Sequence, residues 1–339
     1  MPRHAVLEPI TTDLTSHPAV EMWSRLRPGA VEPLAVTPLK PQRKASHKSG
    51  VYRLHGVGPE GSNVIAKRCR RSTAVRERTV YEQILPQLAL PTLHYYGSIE
   101  ETEAPNTWLF VEDAGDVESG EDDREHFIRW LAQLHTSAAD ATARSGLAER
   151  GPARYLEHLQ SARGRINANL AAPHFLPDEL DVLHRTLALC EAMENRWNEI
   201  EQFCQRMPKT LVHGDMSRKN LRVRRTSSGV QFFAIDWETA GLGVPAADLG
   251  ATSQRAPDQR EAIIEIYRSV VAPVWRCDAG DIETLAHVGL LFRMAASIDW
   301  VTYSLPYPPG RKPVKYFRAY EEHVLGAMDR LGWKHPGRR

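Results

Sequence analysis

Cysteine is scarce in this chain of 339 residues. Cys69, Cys190, Cys204 and Cys277 are the only four, far apart and without a Cys-x-x-Cys pair or a histidine pair spaced for a metal. That scarcity argues against a disulfide framework and against structural zinc, and it makes a reducing, cytoplasmic compartment the expected one. Charge imbalance is also missing. Lysine and arginine number 43 against 42 aspartates and glutamates, so the whole-chain field is weak and no nucleic-acid partner is expected. The short basic runs at Arg68, Arg70 and Arg71 and at Arg222, Arg224 and Arg225 read as solvated strand or loop faces. No apolar run approaches the length of a membrane span, and residues 1–30 hold no basic-then-apolar signal segment, so no membrane partner is expected either. What remains is ordinary globular composition, 42% hydrophobic and 25% charged, in a chain long enough for two lobes. Nothing in the sequence fixes an oligomeric state.

Periodicity divides the chain. Residues 1–34 are rich in Pro and Thr and read as an extension that wraps the surface or precedes the fold proper. Strands are predicted at 33–39, 51–57, 63–69, 93–99 and 107–111, with one helix over Ser72–Leu88 in which Val75, Thr79, Ile84 and Leu88 fall near helical spacing. After Glu112-Asp113-Ala114-Gly115 the pattern turns helical, with helices predicted at 122–139, 152–170, 177–206, 257–272, 280–304 and 313–331. A single hairpin, Leu221–Arg225 and Val230–Ile235 around Thr226-Ser227-Ser228-Gly229, interrupts that run.

The hairpin lies inside the most informative stretch. His213-Gly214-Asp215 is followed five residues after the Asp by Asn220, and the second strand ends in Ile235-Asp236-Trp237-Glu238. Phosphoryl transfer needs one group to orient or deprotonate the attacking hydroxyl and others to hold Mg²⁺ against the β- and γ-phosphates. Asp215 fits the first task. Asn220 and Asp236, which the hairpin folds side by side, offer the oxygen ligands that suit Mg²⁺. The arrangement matches the kinase signature of a His-x-Asp loop with a later Asn and a second Asp at a strand end.

Two departures narrow it. Gly214 stands where protein kinases have Arg, and Trp237-Glu238 replaces the Phe-Gly after the metal-binding Asp. With these, and with Ala240–Leu249, the sequence resembles the aminoglycoside phosphotransferase and choline kinase group of small-molecule kinases. The resemblance covers roughly residues 35–330 and is strongest over 211–250. It implies an α+β, bilobal, protein-kinase-like fold, with a small strand-rich N-lobe at 35–114, preceded by the 1–34 extension, and a larger helical C-lobe at 115–339. It also implies Mg²⁺ as cofactor, ATP or GTP as co-substrate and a small-molecule hydroxyl as acceptor. In that group the Asp at position 248 is structural, and His213 is expected to brace the loop by hydrogen bonds.

The nucleotide side has a decoy. Gly56-Val57-Gly58-Pro59-Glu60-Gly61 fits G-x-G-x-x-G, but the strand-like Val64-Ile65-Ala66-Lys67 follows where a dinucleotide fingerprint needs a helix. The sextet is expected to be a tight turn between strands. Ala45-Ser46-His47-Lys48-Ser49-Gly50 is the better phosphate loop, resembling the group's Ser/Asn-rich loop before a Val-Tyr strand, with Ser49 as a candidate ligand. Lys67 ends a segment close to Val-Ala-Ile-Lys, whose lysine reaches the α- and β-phosphates. Glu77, early in the next helix, is its expected anchor, with Glu82 as the fallback. Backbone groups from Glu112 to Ala114 are candidates for the purine edge, which leaves ATP against GTP open.

The acceptor leaves weaker marks. Asp278, Asp281, Glu283 and Asp299 are candidates to attract a cationic acceptor, although spread carboxylates are more often solvated. Trp300, Tyr303 and Tyr307 are candidates to stack on a sugar or cage an ammonium group, with helix-face packing the favoured reading.

Overall fold

Alternation of apolar and polar residues along the first third of the chain builds an antiparallel sheet. Its strands are β1 (Val36–Lys40), β2 (Gly50–Leu54), β3 (Val64–Arg70), β4 (Tyr95–Glu100) and β5 (Asn106–Glu112), in the spatial order β1-β2-β3-β5-β4. The computed structural model describes residues 8–40, 50–227, 229–252, 257–306 and 313–334. β3 is central, pairing from Gly50↔Arg68 to Leu54↔Val64 on one side and from Val64↔Glu112 to Arg70↔Asn106 on the other. Period two then sorts the side chains by face. Val64, Ala66, Trp108 and Phe110 share a core with Val36, Leu54 and three residues of helix α1 (Pro18–Leu26), namely Ala19, Val20 and Trp23. Cys69 and Leu109 point to the other face, against Ala74 of helix α2 (Arg71–Arg78). The Gly56–Gly61 sextet is the turn between β2 and β3, closed by Gly58 N–H to Ser62 C=O at 2.8 Å.

Helix α1 lies in what the sequence reads as an extension. Pro18 occupies its first turn, and Nδ1 of His17 accepts from the Ala19 N–H at 3.2 Å, so the start is capped. Trp23 is 3% exposed, and its truncation to Ala would cost about 3–5 kcal/mol. The helix predicted over Ser72–Leu88 also differs. After α2 the chain widens into a π-helical turn at Thr79–Ile84 and tightens into a 3₁₀ turn at Leu85–Gln87. Pro86 has no N–H with which to continue an α-helix. The altered winding buries Ala74, Glu77, Val80, Tyr81 and Ile84, and it leaves Val75, one of the residues at helical spacing, exposed.

The remaining strands are β6 (Thr210–Val212), β7 (Leu221–Thr226), β8 (Gly229–Ala234) and β9 (Gly241–Gly243), with β7 paired to β8 and β6 to β9. The chain divides into one unit of residues 1–120 and 218–238 and a second of 121–217 and 239–339. The β7–β8 hairpin therefore groups with the strand-rich unit, whereas the sequence boundary at 114/115 places it with the helical part. The reason is local bonding: Val223 N–H donates to Val117 C=O at 2.9 Å, and Arg224 Nη2 donates to Glu112 Oε1 at 2.7 Å.

The second unit is helical: α3 (Arg124–Arg144), α4 (Pro152–Asn169), α5 (Pro177–Asn195), α6 (Trp197–Arg206), α7 (Ala246–Thr252), α8 (Pro257–Val271), α9 (Ala279–Thr302) and α10 (Pro313–Arg330). The single helix predicted over 177–206 breaks at Arg196, where ψ is 8°. α9 is buried along most of its length, with Ile282, Leu285, Phe292 and Ala295 inside. Its backbone meets that of α7 directly, since a Cβ on Gly289 would lie 2.1 Å from the Ala246 carbonyl oxygen. Glycine is required there by close approach. Among the described residues, no helix is long and apolar enough to cross a membrane.

Candidate active site

In the first unit the sheet delivers Lys67 to the α2 face, where Nζ donates to Oε1 of Glu77 and to Oδ1 of Asp236. Glu77, two residues before the π-helical segment, is 2% exposed. Glu82, the fallback, instead pairs with Arg78 at 3.7 Å. Burial opposes the Lys67 charge, but the two carboxylates outweigh it and raise the lysine above its ordinary range. Burial pushes the Glu77 carboxyl up to about 7, with Asp236 adding to the rise and Lys67 opposing it. Desolvation is the main cause, since burial penalises the charged carboxylate; beside it, the two carboxylates and one ammonium carry one more negative charge than positive.

The hairpin sets Asp236 beside Asn220. Leu221 pairs with Ala234, and Ile235 N–H donates to the Asn220 carbonyl at 2.9 Å, so the two ligand candidates flank one end of the ladder. Asp236 adopts φ 66°, a left-handed conformation that Asp tolerates better than most residues. The turn is braced on both sides. Trp237 Nε1 donates to Ala234 C=O at 3.1 Å, and Arg76 Nη1 donates to Glu238 C=O. Asn220 is 5% exposed. This donor set, one carboxylate and one amide oxygen beside surplus negative charge, fits Mg²⁺, which commonly takes one or two protein oxygens and fills its octahedron with waters and phosphates.

Glu112 is committed to the framework. Oε1 accepts from Arg224, Oε2 accepts from His94 N–H at 3.1 Å, and the Glu112 N–H donates to His94 C=O at 2.8 Å. Asp113 N–H donates to Asn63 C=O at 3.3 Å. Of the predicted 112–114 segment, Ala114 is the residue whose backbone groups make no hydrogen bond among the described residues. Ser49 and the rest of the predicted phosphate loop through residue 49 lie outside the described residues.

In the second unit the loop carrying Asp215 is held by its backbone. Asp248 accepts from His213 N–H and from Gly214 N–H, each at 2.8 Å. His135 Nε2 donates to the same carboxylate at 3.2 Å, which leaves its Nδ1 to accept from the Tyr267 hydroxyl at 2.7 Å. His213 is fully buried; its Nδ1 accepts from Asp215 N–H at 3.3 Å, and its carbonyl accepts from Thr239 Oγ1 at 2.7 Å. Gly214 has φ 75°, and a Cβ there would stand 2.9 Å from the Thr239 carbonyl oxygen. No side chain fits that position.

Sequence reasoning missed the partner of Asp215. Arg293 Nη1, from α9, donates to Asp215 Oδ1, and the Arg293 guanidinium also lies 5.5 Å from the centre of the Trp300 ring. A single Arg in an apolar helix 78 residues downstream carries no local signal. The acceptor candidates are reassigned as well. Asp299 is 4% exposed and bound by His158 Nδ1 at 2.9 Å and by Arg165 Nη2. Asp278 and Asp281 cap α9 reciprocally, at 2.8 and 3.3 Å. Trp300 and Tyr303 are exposed at 39% and 60%, and each ring lies against an arginine: Trp300 against Arg293 at 5.5 Å, and Tyr303 against Arg165 at 3.8 Å. Tyr307 lies outside the described residues.

A model of the phosphotransferase enzyme family (APH) matches residues 45–279. No curated protein matches the chain by sequence. Among solved structures, the chain is similar to the GDP and kanamycin complex of APH(2″)-IIIa, at 14% identity over 90% of this chain and 97% of that one, TM-score 0.61. It is also similar to a microcompartment-associated aminopropanol kinase, at 16% identity over 88% and 92%, TM-score 0.58. A third is the macrolide 2′-phosphotransferase MphH from Brachybacterium faecium, at 18% identity over 90% and 93%, TM-score 0.51. At such identities these likenesses speak to the fold, which is the α+β fold shared by all three.

Proposed function

From the premise that this chain belongs to the phosphotransferase enzyme family, we propose that it moves the γ-phosphoryl group of ATP or GTP onto a hydroxyl of a small molecule with Mg²⁺. The observation that carries the reading is Lys67 held between Glu77 and Asp236, since a lysine fixed between an anchoring and a metal-binding carboxylate is what a kinase nucleotide site requires. The GDP and kanamycin in one structural neighbour support a nucleotide and a small-molecule acceptor as the two substrates.

In this reading Lys67 donates to the α- and β-phosphates, and Glu77 keeps its ammonium group in place. Asp236 and Asn220 would hold Mg²⁺, which would supply neutralisation of charge on the phosphates. Ser49 meets phosphate oxygens, and of the 112–114 segment the Ala114 backbone meets the purine edge, since the Glu112 and Asp113 N–H groups are committed to His94 and Asn63. Asp215 orients the acceptor hydroxyl and takes its proton as the new O–P bond forms. The bond from the γ-phosphorus to the bridging oxygen breaks, and a nucleoside diphosphate leaves. His213, Asp248 and His135 fix the loop that carries Asp215 without touching the reacting atoms.

A coupled nucleotide-consumption screen tests the reading, with Mg·ATP and Mg·GTP against amino sugars, aminoglycosides, choline, nucleosides and hydroxy amino acids. Turnover with one class is the expected result. Silence across the panel, together with no Asp215-dependent triphosphatase activity, would favour a nucleotide-binding scaffold instead.

A further inference from the structure

We propose that Arg293 is a positioning residue for Asp215, fixing the orientation of the carboxylate that meets the acceptor hydroxyl; this rests on the functional reading above. Three observations within the helical unit carry it. First, Arg293 Nη1 donates to one oxygen of the Asp215 carboxylate, with the two side chains only 20% and 12% exposed. A guanidinium is a planar donor, so it constrains the plane of a carboxylate as well as its position.

Second, Arg293 is itself constrained. Its guanidinium sits 5.5 Å from the Trp300 ring centre, seven residues on along the same helix, so the cation is gripped by a carboxylate and an aromatic face. Third, the helix that presents Arg293 is seated without slack. Gly289, one turn earlier, touches the α7 backbone: a Cβ on it would lie 2.1 Å from Ala246 C=O and one on Gly250 2.0 Å from Gly289 C=O. α7 also contains Asp248, which holds the His213 and Gly214 N–H groups. The Asp215 backbone and the Asp215 side chain are thus referred to two helices in direct backbone contact. Gly214, beside Asp215, leaves no room for a side chain, and α9 supplies a guanidinium to this carboxylate.

The pairing also bears on the acceptor. The carboxylate nearest the reaction is already matched by a guanidinium, and Asp299 by Arg165 and His158, so neither presents unmatched charge to a polycation. The exposed groups beside them are the rings of Trp300 and Tyr303, which suit an acceptor with an apolar or sugar face.

The test uses the full chain with γ-labelled ATP and GTP, Mg²⁺ and the hydroxyl panel as acceptor, comparing wild type, Asp215→Asn, Arg293→Ala and Arg293→Gln. Arg293→Ala is expected to lower kcat by ~10²-fold, the scale of a small misplacement of a catalytic group, with the nucleotide KM unchanged. Added guanidinium ion should restore part of the lost turnover, and Arg293→Gln, which keeps the stem against Trp300, should fall between. Wild-type kcat in Arg293→Ala would overturn the inference alone. Equal loss in both variants, with nucleotide KM raised, melting lowered and no rescue, would overturn it in favour of a structural role. A wild type without any Asp215-dependent transfer would overturn the functional reading, and this inference with it.

Discussion

In the first unit one lysine stands between two carboxylates, whereas in the second one arginine stands against one. The Lys67, Glu77 and Asp236 group carries a surplus negative charge, and the Asp215 and Arg293 pair carries none. Both are largely shielded from water, so the imbalance is not diluted by solvent. The difference teaches what each place is suited to receive. A charge-deficient cluster invites a cation, and its protonation answers to whether that cation is present. A matched pair invites no ion; its value is orientation.

The largest effect expected falls on the surplus side. Asp236→Ala removes a proposed Mg²⁺ ligand together with the excess charge, and calorimetry with Mg·ATP and Mg·GTP should show Mg²⁺-dependent nucleotide binding abolished. On the matched side, Asp215→Asn should lower turnover by ~10²–10⁴-fold, the range for losing a general base, while nucleotide affinity survives. If both variants lost nucleotide binding alike, the contrast between the two places would collapse.

A smaller effect concerns pH. Glu77 titrates near 7 in the folded protein and near 4.5 when exposed, so the folded state binds the extra proton between those values. The stability this contributes is fully present below about 4.5 and is lost as pH rises through about 7. In metal-free, nucleotide-free protein, thermal melting of wild type minus Glu77→Gln should fall across that window, and saturating Mg·ATP should flatten the fall. The smallest effect concerns the thiols. Burial raises Cys69, Cys190 and Cys204 to about 12, whereas Cys277 is less buried and less shifted. Mass spectrometry after mild alkylation of native protein should find Cys277 labelled first, since the thiolate is the reactive form.

How much of this could be read from residues alone follows from where the signal resides. Asn220 and Asp236 bracket a single hairpin, so their adjacency is written in the chain. The pairing of Lys67 with Glu77 was legible because period two places Lys67 on the α2 face and Glu77 falls early in the next helix. Arg293 was not legible, since tertiary packing alone brings a residue of α9 to a loop 78 positions earlier. Helix α1 escaped because its apolar face is short, with Ala19, Val20 and Trp23 carrying it. The π-helical turn escaped because Val75 and Thr79 fit regular helical spacing, and only the actual winding shows Val75 turned outward. The cations under Trp300 and Tyr303 were not legible, because aromatic spacing does not disclose an arginine beneath each ring.

The assignment of 218–238 to the strand-rich unit has a consequence for how the protein is made. The peptide passes from one unit to the other at 120/121, at 217/218 and at 238/239, and Lys67 meets Asp236 across 169 positions. A ribosome that has released the five-stranded sheet has not yet produced its last ion pair; α3 to α6 must emerge first. Domains that form as they are synthesised normally close in order of emergence. Here the earliest unit is finished late, and a product truncated at residue 120 would retain the lysine without its second carboxylate.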